Sequence, residues 1–316
     1  MFEGFANVWS PLILARRLGR RPVRTVLAGV PIVVFRGNGG AIGALLDRCP
    51  HRGAALSLGK VGEDGCLECA FHGWRFDVAG TNRRVPLNPE ARLETLGAHA
   101  LAVRQLGDLI WVYTSPGETA PPEPAAPDSL TSPELSRIYV ERSWRCHWTR
   151  AMENMLDSPH LPFVHRRSIG RSFRRRMTPQ SRMEVAWEET AWGGRARASL
   201  DGESNEAFLA YYRPNVMALH IPIPRRHLRI HALVVPAEPG RTRLTVVASR
   251  DFARLGLLDP WFAWMNGMIA DEDRSVVESS GPDEIPAPGQ ERSVGTDRAT
   301  LQFRKYYWET LRPSAA

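Results

Sequence analysis

Cys49-Pro50-His51 and Cys69-Ala70-Phe71-His72, with 17 residues between His51 and Cys69, put two thiols and two imidazoles on two short segments. Thiolate and neutral imidazole are donors for soft and borderline metals. A tetrahedral zinc would accept such a set, but zinc sites favour a Cys pair followed by a His pair, and here each segment contributes one of each. The mixed order suits a 2Fe-2S centre in which Cys49 and Cys69 bind one iron and His51 and His72 the other. Neutral imidazole in place of thiolate leaves less negative charge on the reduced cluster and raises its potential, which makes a one-electron relay. Cys66 and Cys146, the remaining two of four cysteines, stand at no ligand spacing. They read as buried free thiols, in keeping with a reducing compartment rather than a disulfide framework.

A second group lies in Glu153-Asn154-Met155-Leu156-Asp157-Ser158-Pro159-His160-Leu161-Pro162-Phe163-Val164-His165. His160 and His165 are spaced for different faces of an undisturbed helix. Pro159 and Pro162 are expected to break the helix between Asp157 and His165 and let both imidazoles turn to one point. Two histidines among prolines read by themselves as structural. Beside a redox cluster they read as ligands, because two imidazoles and one carboxylate make the facial triad of non-haem Fe(II) oxygenases, with open positions for dioxygen.

Cys49-Pro-His51-Arg-Gly-Ala and Cys69-Ala-Phe-His72-Gly-Trp74 resemble the Rieske domain of Rieske non-haem iron oxygenases. The extra cysteine that each ligand loop carries in respiratory Rieske proteins is missing. The resemblance implies a Rieske 2Fe-2S cluster and a mononuclear Fe(II), with the carboxylate ligand drawn from a C-terminal helix. The matching run is Asp271-Glu272-Asp273-Arg274-Ser275-Val276-Val277-Glu278. Asp273 fits the family pattern, Asp271 and Glu272 follow it in that order as alternatives, and Glu278 reads as a surface or supporting contact. The resemblance also casts Asp157 as a carboxylate bridging a mononuclear-site histidine to a Rieske histidine of a neighbouring subunit, and places Asn154 near the iron. Read by themselves, these two are a helix cap or surface group and an ordinary helix amide.

The implied activity is that of an oxygenase component of the compact monooxygenase and demethylase branch. It would use O2 and electrons from a separate reductase drawing on NADH or NADPH, with or without a ferredoxin, to hydroxylate or demethylate a small, largely apolar organic substrate. Aromatic-ring cis-dihydroxylation is the alternative. A Rieske electron-transfer protein with a non-catalytic ligand-binding domain is a further one. A homotrimer is implied by the resemblance alone. Neither a G-x-G-x-x-G fingerprint nor an all-Cys ferredoxin motif occurs in the sequence.

These residues need two scaffolds. Short apolar segments broken by Gly and Pro, Val23 to Leu27, Ile32 to Phe35, Ala41 to Leu46 and Leu109 to Tyr113, read as a small all-β domain over residues 1–115, with Gly53 and Gly73 turning the ligand loops. Residues 116–133, rich in Pro and Ala, read as an extended linker. Residues 134–316 read as an α+β catalytic domain. Its strand candidates are Ile138 to Cys146, Met183 to Trp192, Ala207 to Tyr212, Val216 to Ile221, Leu228 to Val235 and Leu244 to Ala248. Its helices are expected at Thr149 to Leu156, Pro260 to Val277 and Thr296 to Leu311. The family supplies the helix-grip (START-like) arrangement, a sheet wrapped on a long C-terminal helix. Substrate contacts are expected from Phe208 to Ile223 and from Trp261 to Met268. Arg225-Arg226-His227 reads as a solvated hairpin turn, with a substrate carboxylate as the second use.

The 316 residues, 43% hydrophobic, suffice for two cores, and no apolar run approaches the roughly 20 residues that cross a bilayer. The N-terminus lacks a secretory pattern, so a cytoplasmic location is expected. The formal charge of +7, with arginines at 166, 167, 171, 174, 175 and 176, comes without any nucleic-acid-binding motif. Basic surface of this kind suits docking of an acidic electron-transfer protein.

Overall fold

The computed structural model describes residues 1–204, 206–254, 256–287 and 289–312. It divides into two compact units, Met1–Pro124 and Ala125–Ala316. Of the stretch read as a linker, 116–124 therefore runs with the first unit and 125–133 with the second. No helix among the described residues is long and apolar enough to cross a membrane.

The first unit is built of three antiparallel sheets. β1 (Trp9–Leu14) pairs with β10 (Leu109–Tyr113), which pairs with β9 (Val103–Leu106). β2 (Val23–Leu27), β3 (Val30–Arg36) and β4 (Ile42–Leu46) form a meander whose β2–β3 turn places Ala28 and Gly29 at positive φ, as a tight hairpin demands. β5 (Lys60–Val61), β6 (Leu67–Glu68), β7 (Arg75–Phe76) and β8 (Asn82–Arg84) form a small four-stranded sheet. Val33, Phe35, Leu45, Leu56, Leu67 and Phe76 are wholly buried and form the nucleus on which both cysteine loops rest. The first loop follows β4, and the second connects β6 to β7.

In the second unit, α1 (Asp128–Thr131) precedes a long strand β11 (Ser136–Trp144), and α2 (Trp148–Leu156), α3 (Leu161–Val164) and α4 (Arg171–Arg176) follow. Then come β12 (Met183–Thr190), β13 (Gly193–Leu200), β14 (Glu203–Ser204), β15 (Phe208–Tyr212), β16 (Val216–His220), β17 (Leu228–Pro236) and β18 (Thr242–Arg250), and finally α5 (Asp259–Val277) and α6 (Arg298–Tyr306). The strands make one antiparallel sheet in the order β11-β18-β17-β16-β15-β13-β12, with β14 on β13. The C-terminal segment read as one helix is a 3-10 turn, then α6, then a wider turn over Tyr307–Leu311.

Residues directly opposite in an antiparallel pair share a face, so the register defines the two sides of this sheet. Val140, Val246, Ala232, Met217 and Tyr211 form one row. An added Cβ on Gly267 of α5 would meet Val140 at 3.7 Å, and Tyr211 packs edge-on against Phe303 of α6, so this row faces the helices. The adjacent row of Tyr139, Val247, His231, Ala218, Ala210 and Arg195 faces the other way. A sheet packed on the long helix α5 is the architecture expected. The alternation divides the segment read as substrate-facing: Leu209, Tyr211, Met217 and Leu219 face the helices, while Phe208, Ala210, Tyr212, Ala218 and His220 do not. Trp261 and Trp264 of α5 are exposed.

On that far side His231 is fully buried. Its Nδ1 lies 3.0 Å from the Val247 carbonyl and its Nε2 2.8 Å from Ser129 Oγ, so the neutral ring donates to the first and accepts from the second. Burial pushes its pKa down to about 3. The unfolded chain takes up a proton near pH 6.5 that the fold refuses until far lower, so this stabilisation is present above pH 6.5 and lost as the pH falls toward 3. Urea unfolding at pH 7 and pH 5 is expected to show the wild type losing about 2 kcal/mol more than His231→Gln over that interval.

Candidate metal centres

The two cysteine loops repeat one hydrogen-bonding plan. Cys49 N–H donates to the Ala54 carbonyl and Gly53 N–H to the Cys49 carbonyl, at 2.8 and 2.9 Å. Cys69 N–H donates to the Trp74 carbonyl and Gly73 N–H to the Cys69 carbonyl, again at 2.8 and 2.9 Å. Each turn closes on a glycine at positive φ, 73° at Gly53 and 70° at Gly73, where an L side chain is strained. The thiols point inward, 3% and 2% exposed, while His51 and His72 lie at the surface with ring centroids 4.6 Å apart. His51 is stacked on Trp74 and His72 on Phe71. Burial, with a contribution from neighbouring Cys69, pushes the Cys49 thiol up to about 11. Desolvation and the adjacent His72 hold His51 below its ordinary value, hence neutral and able to donate a lone pair. Two buried thiols beneath two surface imidazoles form a donor set that fits a 2Fe-2S cluster.

The second group forms where α2 ends. Asp157 leaves the helix in an extended conformation, and its carboxylate accepts the His160 N–H at 3.1 Å. Pro162 does not break a helix here. It occupies the first turn of α3, where a missing N–H costs nothing, and His160 and His165 flank that single turn. Gly170 closes the loop behind it: its N–H donates to the His165 carbonyl at 2.9 Å, and a Cβ would meet the Leu161 carbonyl at 1.9 Å.

Asp273 arrives from α5. Its buried stripe is Phe262, Asn266, Gly267, Ala270, Asp273 and Val277, so Asp273 is the member of the acidic run that faces inward. Asp271, almost opposite, pairs with Arg142 at 3.0 Å, and Glu278 accepts from the Arg145 backbone and from Arg274. One ligand atom each from His160, His165 and Asp273 lies within 4.8 Å of the others. Oδ1 of Asp273 is 3.0 Å from Nε2 of His165 and 3.6 Å from Nε2 of His160, yet it makes no aligned hydrogen bond with either. A buried carboxylate oxygen left in this way beside two nitrogens fits a shared cation between them.

Behind the imidazoles stand two more carboxylates. Glu272 Oε2 is 2.7 Å from His165 Nδ1 and accepts from Ser168 Oγ at 2.6 Å. Asp157 Oδ2 is 3.3 Å from His160 Nδ1, near it without an aligned hydrogen bond. Each ring is thus backed on Nδ1 and presents Nε2 to the centre, the arrangement that fixes a ligand's tautomer. Burial alone would lower His165, but contact with Asp273 and Glu272 outweighs it and its pKa stands above the ordinary value. Asn154 lies in the last turn of α2 with a buried Nδ2 that has no hydrogen-bond partner among the described residues. The backing role of Glu272 escaped the sequence reading, which weighed it only as a ligand. The available signal was its place one residue before Asp273, about 100° around the helix.

Residues 8–103 match the Rieske [2Fe-2S] domain family, and residues 144–312, more than half of the chain, match the family described as vanillate O-demethylase oxygenase C-terminal domain. The chain belongs to the Rieske oxygenase family. Among its relatives, this Rieske oxygenase is 29% identical over 298 residues to the chloroplastic pheophorbide a oxygenase of Oryza sativa subsp. japonica, covering 85% of the chain and 56% of that protein. It therefore spans little more than half the length of that relative. It is 27% identical over 328 residues to the methylxanthine N3-demethylase NdmB of Pseudomonas putida, covering 96% and 88%. The structure of NdmA from Pseudomonas putida CBB5 superposes with a TM-score of 0.77 at 22% identity, covering 95% of this chain and 89% of that one, which shows a common fold.

Replacing Glu272 by glutamine removes the charge behind His165 while keeping its shape. Fe(II) titration of the metal-free chain is expected to show affinity reduced about 10- to 100-fold. Asp271→Asn, which changes only the surface pair with Arg142, is expected to leave the affinity unchanged.

Proposed function

We propose that the chain is the oxygenase component of a multicomponent Rieske system that hydroxylates or oxidatively demethylates a small, largely apolar organic substrate. The observation that carries this reading is the convergence of His160, His165 and Asp273, each imidazole backed by a carboxylate, in a chain that also bears the Rieske loops. Cys49, Cys69, His51 and His72 would hold the 2Fe-2S cluster, and His160, His165 and Asp273 a mononuclear Fe(II). Together these groups supply reductive activation of dioxygen when bound.

The chain's own residues set the conditions for that chemistry. Glu272 and Asp157 orient His165 and His160, and Asp157 is placed to couple proton movement to His160. Asn154 is assigned to the substrate side of the same centre on the resemblance alone. Leu209, Met217, Leu219 and Ala232, on the helix-facing side of the sheet, favour an apolar substrate. Electrons are assigned to a separate reductase using NADH or NADPH, with or without a ferredoxin, for which the basic charge of the chain is a complementary surface. The same reading takes the assembly as a cytoplasmic homotrimer.

The test begins with anaerobic purification, metal and sulfide analysis and EPR of the reduced protein, where about three irons and a Rieske signal are expected. Loaded protein is then reduced and given 18O2 with a panel of aryl methyl ethers and N-methyl heterocycles. Formaldehyde, or a product carrying one 18O atom, supports the proposal. Two 18O atoms on a ring would assign cis-dihydroxylation instead. Absence of substrate-dependent oxygen consumption by fully loaded protein would leave an electron-transfer protein.

A further inference from the structure

The sheet face turned away from the helices carries a cavity of about 310 Å3. Its floor is Ala210 and Ala218, directly opposite each other, where the small side chains leave the space. Phe208 and Tyr212 wall it, and the start of α1, with Asp128 and Ser129, covers one side. The cavity belongs to the face opposite the one that packs on α5, so it is separate from the His160, His165 and Asp273 centre.

Its charges are unbalanced. Arg195 and Arg229 both line it, both are half-buried, and neither guanidinium makes an ion pair or hydrogen bond among the described residues. Arg195 Nε and Arg229 Nη1 are buried donors without an acceptor among the described residues, and Nε2 of His227, which also lines the cavity, has no partner among them. Each guanidinium lies over an aromatic ring instead. Arg195 Cζ lies 5.7 Å and Arg229 Cζ 5.6 Å from the Phe208 ring centroid, and Arg195 is also 5.6 Å from Trp192. A cation–π contact uses no N–H donor, so the guanidinium forks stay available to an anion. Among the described residues Asp128 is the one acidic residue lining the cavity, against two arginines. Donors desolvated without acceptors are costly to the fold, and an anion relieves that cost.

We propose that this cavity binds a small organic carboxylate, with its carboxylate on Arg195 and Arg229 and its apolar body against Phe208, Ala210 and Ala218. The volume matches a single-ring acid rather than a nucleotide or a lipid. The site is distinct from the oxygenase centre and its occupancy does not depend on turnover.

Equilibrium dialysis of the full metal-loaded chain against radiolabelled benzoate at low ionic strength tests it. One saturable benzoate per chain is expected. The double variant Arg195→Gln/Arg229→Gln should weaken binding about tenfold or more, as loss of charge-assisted hydrogen bonds does. Ala218→Leu, which keeps both arginines and fills the floor, should weaken it comparably. Asp273→Ala, on the other face, should leave it unchanged. In the unaltered chain, benzoate should protect Arg195 and Arg229 from phenylglyoxal, a readout that requires no variant. The proposal is overturned by absence of saturable binding, by lack of protection at both arginines, or by binding that Asp273→Ala abolishes and the cavity variants do not affect.

Discussion

Asp273→Ala is expected to yield a folded, coloured protein that has lost one iron per chain, keeps all its sulfide and its Rieske EPR signal, and shows substrate oxidation reduced about a thousandfold or more. The expectation follows from geometry. Among the described residues Asp273 is the one carboxylate whose oxygen sits within 3.6 Å of both Nε2 atoms, and alanine leaves two imidazoles that face each other across an empty corner. Glu272 cannot take its place while it is held by His165 Nδ1 and Ser168 Oγ on the far side of the ring. Folding should survive, because removing a buried carboxylate with an unsatisfied oxygen from the inner stripe of α5 relieves a polar group as well as losing contacts. Asp271→Ala serves as the comparison and should retain both iron and turnover. Retention of the third iron in Asp273→Ala would move the ligand elsewhere and undo the assignment of the triad.

The same region shows where sequence reading stops. Apolar segments rich in β-branched or aromatic residues mark β11, β15, β16, β17 and β18 to within a few residues, because each of these strands needs an apolar face of its own. β13 offers no such signal. Its Gly193-Gly194-Arg195-Ala196-Arg197-Ala198-Ser199-Leu200 contains no β-branched residue, and it is a strand because β12 and β15 pair with it on either side. Gly194 is required by tertiary contact, since the Trp187 ring occupies the space a Cβ would take, 2.0 Å from it. The two-residue strands β5, β6 and β7 are likewise products of their sheet. Pro162 shows how position decides what proline does: inside a helix it breaks the ladder, but at the start of α3 its fixed φ begins the turn. His160 and His165 could be singled out from their neighbours. Their meeting with Asp273, and the Glu272 contact across 107 positions of chain, depends on how α5 lies on the sheet, which local pattern does not encode.

Cys69→Ser is expected to give the mirror-image result: about two irons and all labile sulfide lost, no Rieske signal, and one iron retained in the second unit. Serine keeps the size of the side chain but is a poor ligand for an iron-sulfur cluster, and Cys69 is 2% exposed, so no outside donor can substitute. The loop should hold its path even so. Its shape comes from backbone groups, Cys69 N–H to the Trp74 carbonyl and Gly73 N–H to the Cys69 carbonyl, and from the wholly buried Leu67 and Phe76 of β6 and β7 beneath it. Circular dichroism should therefore show native β content in a protein that no longer accepts electrons from a reductase. Substrate oxidation driven by reductase and NADH or NADPH should fall to background, whereas hydrogen peroxide supplied to the retained iron bypasses electron entry and should still give product where the iron centre is intact. Read together, the two substitutions separate relay from reaction centre: Asp273→Ala leaves a reducible cluster with nowhere to send its electrons, and Cys69→Ser leaves an iron centre with no supply. If Cys69→Ser retained sulfide and a Rieske signal, the cluster would not sit between these loops, and the pairing of the buried thiols with the surface imidazoles would have to be abandoned.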